Sequence, residues 1–358
     1  IAIDGYDLTQ RPTGVGRYLR NLLSEILKSD SRNHYHLFLR EDIALFNRFS
    51  NLEKTILPAA GGYTFWQNGP LRKKLRNGDY GLLFAAGNQL PFFYDGKSAL
   101  AVHDVAWRAL GRDFSLKERI GKDWKCRWSL KKADRIYTDS EFTRGELCRY
   151  YGVSAEKIHT IPLAIEAGFR RVAKAEIDAF KERYRLSGKK VIGFLGSIFK
   201  RRHVRELIQA CERLREKHDL ALILVGRNFS GREMNDWLRR EGVTWLEWLP
   251  EEQLNVFYSA LDLFVYISSY EGFGFPPLEA LACGTVPLLL PSSSLQEMYH
   301  DLAIFVENPD PELVADAIGD FLDEPSSESE RIRAGWRERK EFFTWPRVAA
   351  AYLNTLFQ

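Results

Sequence analysis

Short apolar runs alternate with longer stretches in which apolar residues recur every three or four positions, and this rhythm runs through the chain twice. In the first half the runs 1–4, 36–39, 81–84, 99–102, 135–138 and 157–161 read as strands, because brief apolar segments between turn residues fit strands buried on both faces. Between the first two runs, Leu19, Leu22, Leu23, Ile26 and Leu27 keep the i, i+3, i+4, i+7, i+8 spacing of a helix that buries one stripe. In the second half strands are expected at 191–195, 220–225, 244–249, 263–267, 286–290 and 304–306. Helical patterns fill the gaps near 203–217, 232–240, 251–260, 277–283 and 311–322. The charged stretch 166–189 lacks strand character and reads as a linker plus one helix. Strands alternating with helices predict parallel sheets covered on both faces. Two rounds of that pattern predict an α/β protein of two Rossmann-like, doubly wound domains, 1–168 and 169–340, facing across a cleft. A final helix is expected to start at Thr344-Trp345-Pro346, with Thr344 as cap and Pro346 in the first turn.

A length of 358 residues agrees with two domains. A net charge of +3 gives no electrostatic case for nucleic acid. No apolar run approaches the roughly 20 residues that span a bilayer. The opening Ile1-Ala-Ile-Asp4 reads as a strand and not as a signal peptide. Cys126, Cys148, Cys211 and Cys283 lie far apart with no Cys-x-x-Cys, which excludes a metal knuckle or a dense disulfide framework. A reducing cytoplasm fits that usage. Charge is uneven, however. Residues 106–135 hold ten lysines and arginines against four acids, together with Trp107, Trp124 and Trp128, and Arg72, Lys73, Lys74 and Arg76 add to the same half. Such a segment is either a solvated helix face or a surface for an anionic membrane or a phosphorylated acceptor.

The candidate chemistry centres on Glu271-Gly-Phe-Gly-Phe-Pro-Pro-Leu-Glu279. Gly272, Phe273, Gly274 and Phe275 form a loop, and Pro276 and Pro277 open a helix. The amides of that first turn favour an anion such as a phosphate. Glu271 before the helix and Glu279 inside it can hold different hydroxyls of one ligand, since an ionised carboxylate only accepts hydrogen bonds. Gly14 and Gly16 of Thr13-Gly-Val-Gly-Arg-Tyr18 permit close approach of a ligand after the first strand, although a plain tight turn explains them equally well. Gly-x-Gly-x-x-Gly is absent there. His103 and Asp104 stand at the carboxyl end of the strand 99–102, where ligands of open α/β sheets bind. Gly196 and Ser197, followed by Lys200-Arg201-Arg202-His203, make a small-residue turn with a cationic cluster suited to a diphosphate. Trp248 is expected in the core. No Asp-x-Asp occurs, so the positive charge for a diphosphate is expected from Arg201, Arg202 and helix ends, without a metal or other cofactor.

Glu271–Glu279 with the following Ala-Leu-Ala-Cys-Gly284 resembles the signature of the retaining nucleotide-sugar glycosyltransferases called family 4 or group 1. Supporting motifs occur in the expected order: the Gly loop, His103-Asp104, Thr138-Asp-Ser-Glu-Phe142, the Gly196 turn and Leu295-x-Glu297. Two places depart from the usual pattern. Cys283-Gly-Thr-Val-Pro287 shifts a proline by one position, and Gly5-Tyr6 replaces an Ala-Arg. The resemblance implies a GT-B architecture whose last helix, 341–358, returns to the first domain. It implies that Glu271 and His103 hold the donor sugar as the catalytic pair and that Glu279 holds the ribose. Gly14, Gly16, Asp104, Gly196, Ser197, Arg201, Arg202 and the 272–275 loop would surround the diphosphate and sugar, with Leu249 beside the base. In this alignment Arg202 replaces a usual Lys and His203 a usual Asn. The implied reaction is retaining transfer from a nucleotide-diphosphate sugar to a glycan, polysaccharide or lipid-linked hydroxyl. The His-Asp pair favours GDP-mannose, while UDP-sugars and dTDP-rhamnose stay open. An epimerase of the same fold and a non-catalytic glycan- or transferase-binding partner are the alternatives. Peripheral contact with the inner face of a membrane would follow from the basic first domain. Glu271→Ala is expected to abolish transfer without disturbing the fold.

Overall fold

The two rounds of alternation become two parallel sheets in the computed structural model, which describes residues 1–10, 14–58 and 61–356 except the side chains of Arg112 and Ser326. Thr13 of the first Gly motif lies outside the described residues. The chain divides into two units, Ile1–Glu166 with Phe342–Gln358, and Ala167–Glu341.

The first unit runs β1 (Ala2–Asp4), α1 (Gly14–Ser29), β2 (Tyr35–Leu39), β3 (Leu52–Ile56), α2 (Tyr63–Trp66), α3 (Arg72–Asn77), β4 (Leu83–Ala85), β5 (Ser98–Ala101), α4 (Ala106–Ala109), α5 (Leu116–Lys132), β6 (Arg135–Thr138), α6 (Glu141–Tyr151) and β7 (Ile158–Thr160). Its strands are all parallel in the order β3-β2-β1-β4-β5-β6-β7. β3 escapes sequence reading because Leu52-Glu-Lys-Thr-Ile56 is an edge strand, half-exposed and carrying charge, as edge strands do to discourage pairing with another chain. A π-helical turn, Gln67–Leu71, with Pro70 inside it joins α2 to α3 and leaves Gln67 fully buried. α5 begins with the capping box that Ser115 and Glu118 make between them. Of the three tryptophans in the basic stretch only Trp124 is exposed. Trp107 is buried, and Trp128 rests against the core.

The second unit runs α7 (Lys174–Arg183), β8 (Lys190–Leu195), α8 (Val204–Leu214), β9 (Leu220–Val225), α9 (Glu233–Leu238), β10 (Val243–Leu246), α10 (Leu254–Ser259), β11 (Leu263–Tyr266), α11 (Phe275–Ala282), β12 (Pro287–Leu289), α12 (Ser293–Tyr299), β13 (Ile304–Phe305), α13 (Pro311–Asp323) and α14 (Pro325–Arg339). The strands are parallel in the order β10-β9-β8-β11-β12-β13. α14 was not legible in the sequence because it is polar nearly all round, with Ile332 its fully buried side chain. The last helix, α15 (Trp345–Leu356), belongs to the first unit and lies on α1, where the Tyr18 hydroxyl donates to that of Tyr352 over 2.7 Å. Tyr352 also stacks on Tyr137 of β6 at 4.5 Å. All four cysteines are free thiols.

One close approach governs the second unit. Gly226, just past β9, has φ +144, and a Cβ there would lie 2.0 Å from the Gly196 carbonyl oxygen just past β8. Gly226→Ala therefore combines a backbone strain of roughly 1–3 kcal/mol with a clash against main chain. A fall in the thermal midpoint of the second unit is expected, and an unchanged melt would show that these strand ends are free to separate.

Candidate active site

In both units the strand order reverses beside the first strand. Crossovers lead from β8 outward to β9 and β10 on one side, and β11, β12 and β13 follow on the other. Helices diverge at such a reversal and leave a crevice at the carboxyl ends of the two neighbouring strands, here β8 and β11. The loops that leave β8 and β11 carry Gly196–His203 and Ser268–Gly274, so the sequence-predicted groups of the second unit converge there.

Glu271 is the hub. Its carboxylate accepts from Arg202 twice, Nε to Oε1 at 2.8 Å and Nη2 to Oε2 at 3.1 Å. The Tyr266 hydroxyl and the Ser268 hydroxyl also donate to Oε1, at 3.0 and 2.8 Å. Burial pushes this carboxyl up, yet Arg202, Arg201 and Ser268 together outweigh that and hold it below its ordinary value. The bidentate fork fixes orientation as well as charge. The backbone is held too, since Glu271 N donates to Ser293 Oγ at 2.9 Å and Ser294 Oγ donates to Glu271 O at 2.9 Å. Gly196 has φ +147 and stands where a Cβ would meet Arg202 Nη1 at 2.7 Å, so its missing side chain makes room for the guanidinium. Arg202 Nη1 donates to Ser197 O at 2.9 Å. Arg201 points differently. Its Nε donates to Tyr270 O at 3.2 Å and its guanidinium lies 4.6 Å over Phe199, and no further side-chain partner is found for it among the described residues. The sequence reading gave Arg202 and Glu271 separate duties. The structure makes them one ion pair, and Arg201 is the guanidinium with terminal nitrogens to offer. His203 takes the left-handed conformation, φ +48, and its Nε2 is hydrogen-bonded to Ser269 Oγ.

Glu279 lies almost fully buried on α11 and accepts from the Tyr258 hydroxyl at 2.7 Å. Gly274 begins the helix at φ +87, where a Cβ would strike Leu295 Cδ2 at 2.7 Å. Phe273 and Phe275 meet edge to face. The expected anion-binding first turn is thinner than it looked, because Pro276 and Pro277 have no N–H and Phe275 alone supplies one among the first three helical residues. Leu249 is buried beyond β10. Its neighbour Trp248 is 56% exposed, so the expectation that Trp248 fills core is corrected. β10 is short and ends at Leu246, which leaves Trp248 in the loop that follows.

In the first unit His103 follows β5 and is enclosed. Its Nδ1 lies 2.7 Å from Asp139 Oδ2, its Nε2 lies 3.0 Å from Ala86 O, and the Tyr18 ring packs edge-on at 4.6 Å. Both ring nitrogens facing acceptors favours the doubly protonated ring. Burial opposes that charge, but Asp139, Asp104 and the Ala86 carbonyl prevail and raise the pKa of His103. Both ring nitrogens thus already have partners inside this unit. Asp104 accepts from Ala106 N at 3.0 Å and turns the chain into α4. Gly14 and Gly16 form the first turn of α1; Gly14 has open space around it and Gly16 is buried. Sequence reading overlooked Asp139 as the partner of His103, although 138–142 had been noticed. It also overlooked Tyr266, Ser268 and Tyr258. The available signal was positional, because Asp139, Tyr266 and Ser268 all stand at or just past carboxyl ends of strands. No group of three or more His, Cys, Asp or Glu residues arranged to hold a metal is found among the described residues.

Two family models together cover most of the chain: "Glycosyl transferases group 1" over residues 176–339 and "Glycosyltransferase Family 4" over 12–168. The chain belongs to this group 1, or family 4, class of glycosyltransferases. An O-antigen chain mannosyltransferase B of Escherichia coli is 29% identical over 63% of this chain and 61% of its own length. A 2-deoxystreptamine glucosyltransferase of Streptomyces kanamyceticus is 29% identical over 44% of this chain and 43% of its own. The chain thus matches less than two thirds of the length of these relatives. Among solved structures, Anabaena HepE in complex with UDP and glucose superposes with a TM-score of 0.77 over 99% of both chains at 16% identity. WaaG, a glycosyltransferase of lipopolysaccharide biosynthesis, does so with 0.76 over 99% of both at 14%. These likenesses establish the GT-B fold.

Two measurements test the couplings described here. Glu271→Ala strands the Arg202 charge, so the expectation of an undisturbed fold is replaced by a stability loss of roughly 3–5 kcal/mol in denaturant titration. Adding Arg202→Met should recover part of it. For His103, a folded pKa raised above the unfolded value of about 6.5 means that its stabilisation is complete below that pH and is lost as pH rises through the folded pKa. The stability difference between wild type and His103→Gln should therefore shrink on going from about pH 6 to alkaline pH. A difference independent of pH would remove the charged-ring assignment.

Proposed function

We propose that this protein transfers a sugar, with retention of anomeric configuration, from a nucleotide-diphosphate donor to a glycan, polysaccharide or lipid-linked hydroxyl. The observation that carries the reading is the Arg202–Glu271 fork beside Arg201 at the β8–β11 reversal. In this reading Arg201 neutralises the departing diphosphate, which needs fixed positive charge where negative charge develops. Arg202 acts through Glu271 by holding that carboxylate ionised and aimed at hydroxyls of the donor sugar. Glu279, fixed by Tyr258, receives the ribose hydroxyls. The amides of Gly272, Phe273, Gly274 and Phe275, with Gly196 and Ser197, line the diphosphate, and Leu249 adjoins the base. In the first unit, His103, held charged by Asp139, supplies positive potential, and Asp104, Gly14 and Gly16 are assigned to ligand binding. Catalysis here consists of positioning and charge stabilisation without a metal or other cofactor.

Mannose from GDP-mannose is the donor we favour, because two relatives are O-antigen chain mannosyltransferases and another is a serotype-specific mannosyltransferase. Peripheral attachment to an anionic membrane surface, at the cytoplasmic side, completes the reading. α5 supports it, with Leu116, Ile120 and Trp124 exposed at four-residue intervals among its lysines and arginines. No helix among the described residues is long and apolar enough to cross a membrane.

Thermal shift with GDP-, UDP- and dTDP-sugars identifies the donor, since a ligand raises apparent stability by mass action. Transfer is expected to survive excess chelator. Arg201→Ala should weaken nucleotide binding by about tenfold to a hundredfold, the scale of one or two charge-assisted hydrogen bonds. Full nucleotide affinity in that variant, or an inverted anomer in the product, would overturn the mechanism.

A further inference from the structure

The first unit has its own reversal, between β1 and β4, and a cavity of about 440 Å³ opens there. That volume lies within the roughly 300–1,000 Å³ range of small-ligand sites. Its walls come from the start of α2, the loop after β4, Trp107 of α4 and one face of α5. Lys122 and Lys125, three apart on α5, both line it, and no lining residue carries a carboxylate. Neither lysine forms an ion pair among the described residues. Lys122 reaches over the Trp107 ring at 5.6 Å, and Lys125 donates to Thr64 Oγ1 at 2.9 Å. Burial, then the neighbouring Lys122 charge, lowers the pKa of Lys125, so the pair repels itself and gains from an anion between them. Glu118, one turn before Lys122 on α5, acts on it electrostatically while accepting from Ser115 N and Oγ, and Asp123 and Asp4 are engaged elsewhere. Asp123 pairs with Arg108 at 3.2 Å and accepts from Tyr151, and Asp4 accepts from Tyr63 and Gln67 at 2.9 Å each.

The uncharged lining is ordered before any ligand arrives. Gln89 is held from behind by the buried Gln67, which donates to Gln89 O at 2.9 Å and accepts from Gln89 Nε2 at 3.1 Å. Thr64 Oγ1 accepts from Lys125 and Gln89, which leaves its own proton for a ligand. Tyr63 is pinned by Asp4, and Trp107 by the Tyr151 hydroxyl at 3.0 Å. Aromatic faces, amides and a hydroxyl suit a sugar ring; two carboxylate-free lysines suit an anionic substituent on it.

We propose that this cavity binds the acceptor and that the acceptor is a phosphate-bearing sugar, its phosphate held between Lys122 and Lys125. This deepens the transfer reading above and rests on it for the word acceptor, while the binding of a sugar phosphate stands alone. The test is calorimetric titration of the full chain with a hexose 6-phosphate, with the parent hexose and, in parallel, with GDP and UDP. The phosphorylated sugar should bind at least about tenfold more tightly than the hexose, with affinity falling as salt rises. Lys122→Glu, at an exposed position that tolerates substitution, should cost about tenfold or more in that affinity and leave nucleotide binding unchanged. Lys125→Met should act likewise, and Lys122→Glu decides alone if the other fails to fold. Equal affinity for the hexose and its phosphate, or an unaffected Lys122→Glu, overturns the proposal. Nucleotide binding without sugar-phosphate binding removes this inference only, whereas the reverse removes the donor reading and keeps the cavity. Flotation with phosphatidylcholine vesicles, with and without phosphatidylglycerol, separates two sources of the same chemistry. Lysine-dependent flotation places the sugar phosphate on a lipid, and its absence with retained titration places it in solution.

Discussion

Parallel strands cannot be joined by tight turns, and every crossover in a sheet of this kind takes the same hand. A chain that starts in the middle of its sheet must therefore wind outward one way and later resume on the other side. Where it resumes, no helix covers the strand ends. In the second unit that place is β8 beside β11; in the first it is β1 beside β4. Nearly everything chemically suggestive in the molecule follows from these two uncovered strand ends. Loops emerge there, and charge can be gathered from sequence positions far apart. Gly226 lets the end of β9 close onto Gly196 at the end of β8, and Gly196 leaves room for the Arg202 guanidinium.

At the β8–β11 reversal the result is a carboxylate that is buried, ionised and already engaged. Burying Arg202 and Glu271 is expensive in isolation, and such a pair is weak evidence for stability. Its value lies in geometry. The fork, Tyr266 and Ser268 leave Glu271 one orientation, and Ser293 and Ser294 fix the main chain beneath it. His103 follows the same principle in the other unit, with Asp139 supplying the compensating charge. Both groups owe their charge state to what surrounds them.

The sequence disclosed periodicity and little else about partnership. Strand 220–225 was legible to the residue because every position is buried and its apolar run is unbroken. β3 and α14 were not, because an edge strand and a helix whose one fully buried apolar side chain is Ile332 among the described residues carry no clean pattern. The Glu271–Glu279 string was legible because loop, prolines and helix are contiguous. Its meaning was not, because Arg202 lies 69 positions from Glu271 and Tyr258 lies 21 from Glu279. His103 and Asp139, 36 apart, meet only because β5 and β6 are neighbours. Trp248 misled because a large aromatic predicts burial from type alone, while the end of β10 at Leu246 decided its place.

The seat of α15 on α1 has a consequence for the order in which the protein can be finished. The apolar stripe of α1, Tyr18, Leu19, Leu22, Leu23 and Ile26, belongs to a unit whose closing helix lies beyond the whole of Ala167–Glu341. At ribosomal rates of about 5–20 residues per second, those intervening residues take on the order of ten to thirty seconds to make. Throughout that interval the first sheet is complete in sequence but lacks a wall, whereas the second unit has all its parts as soon as it emerges. The unit begun first is therefore the one whose parts are completed last, when α15 reaches its seat on α1.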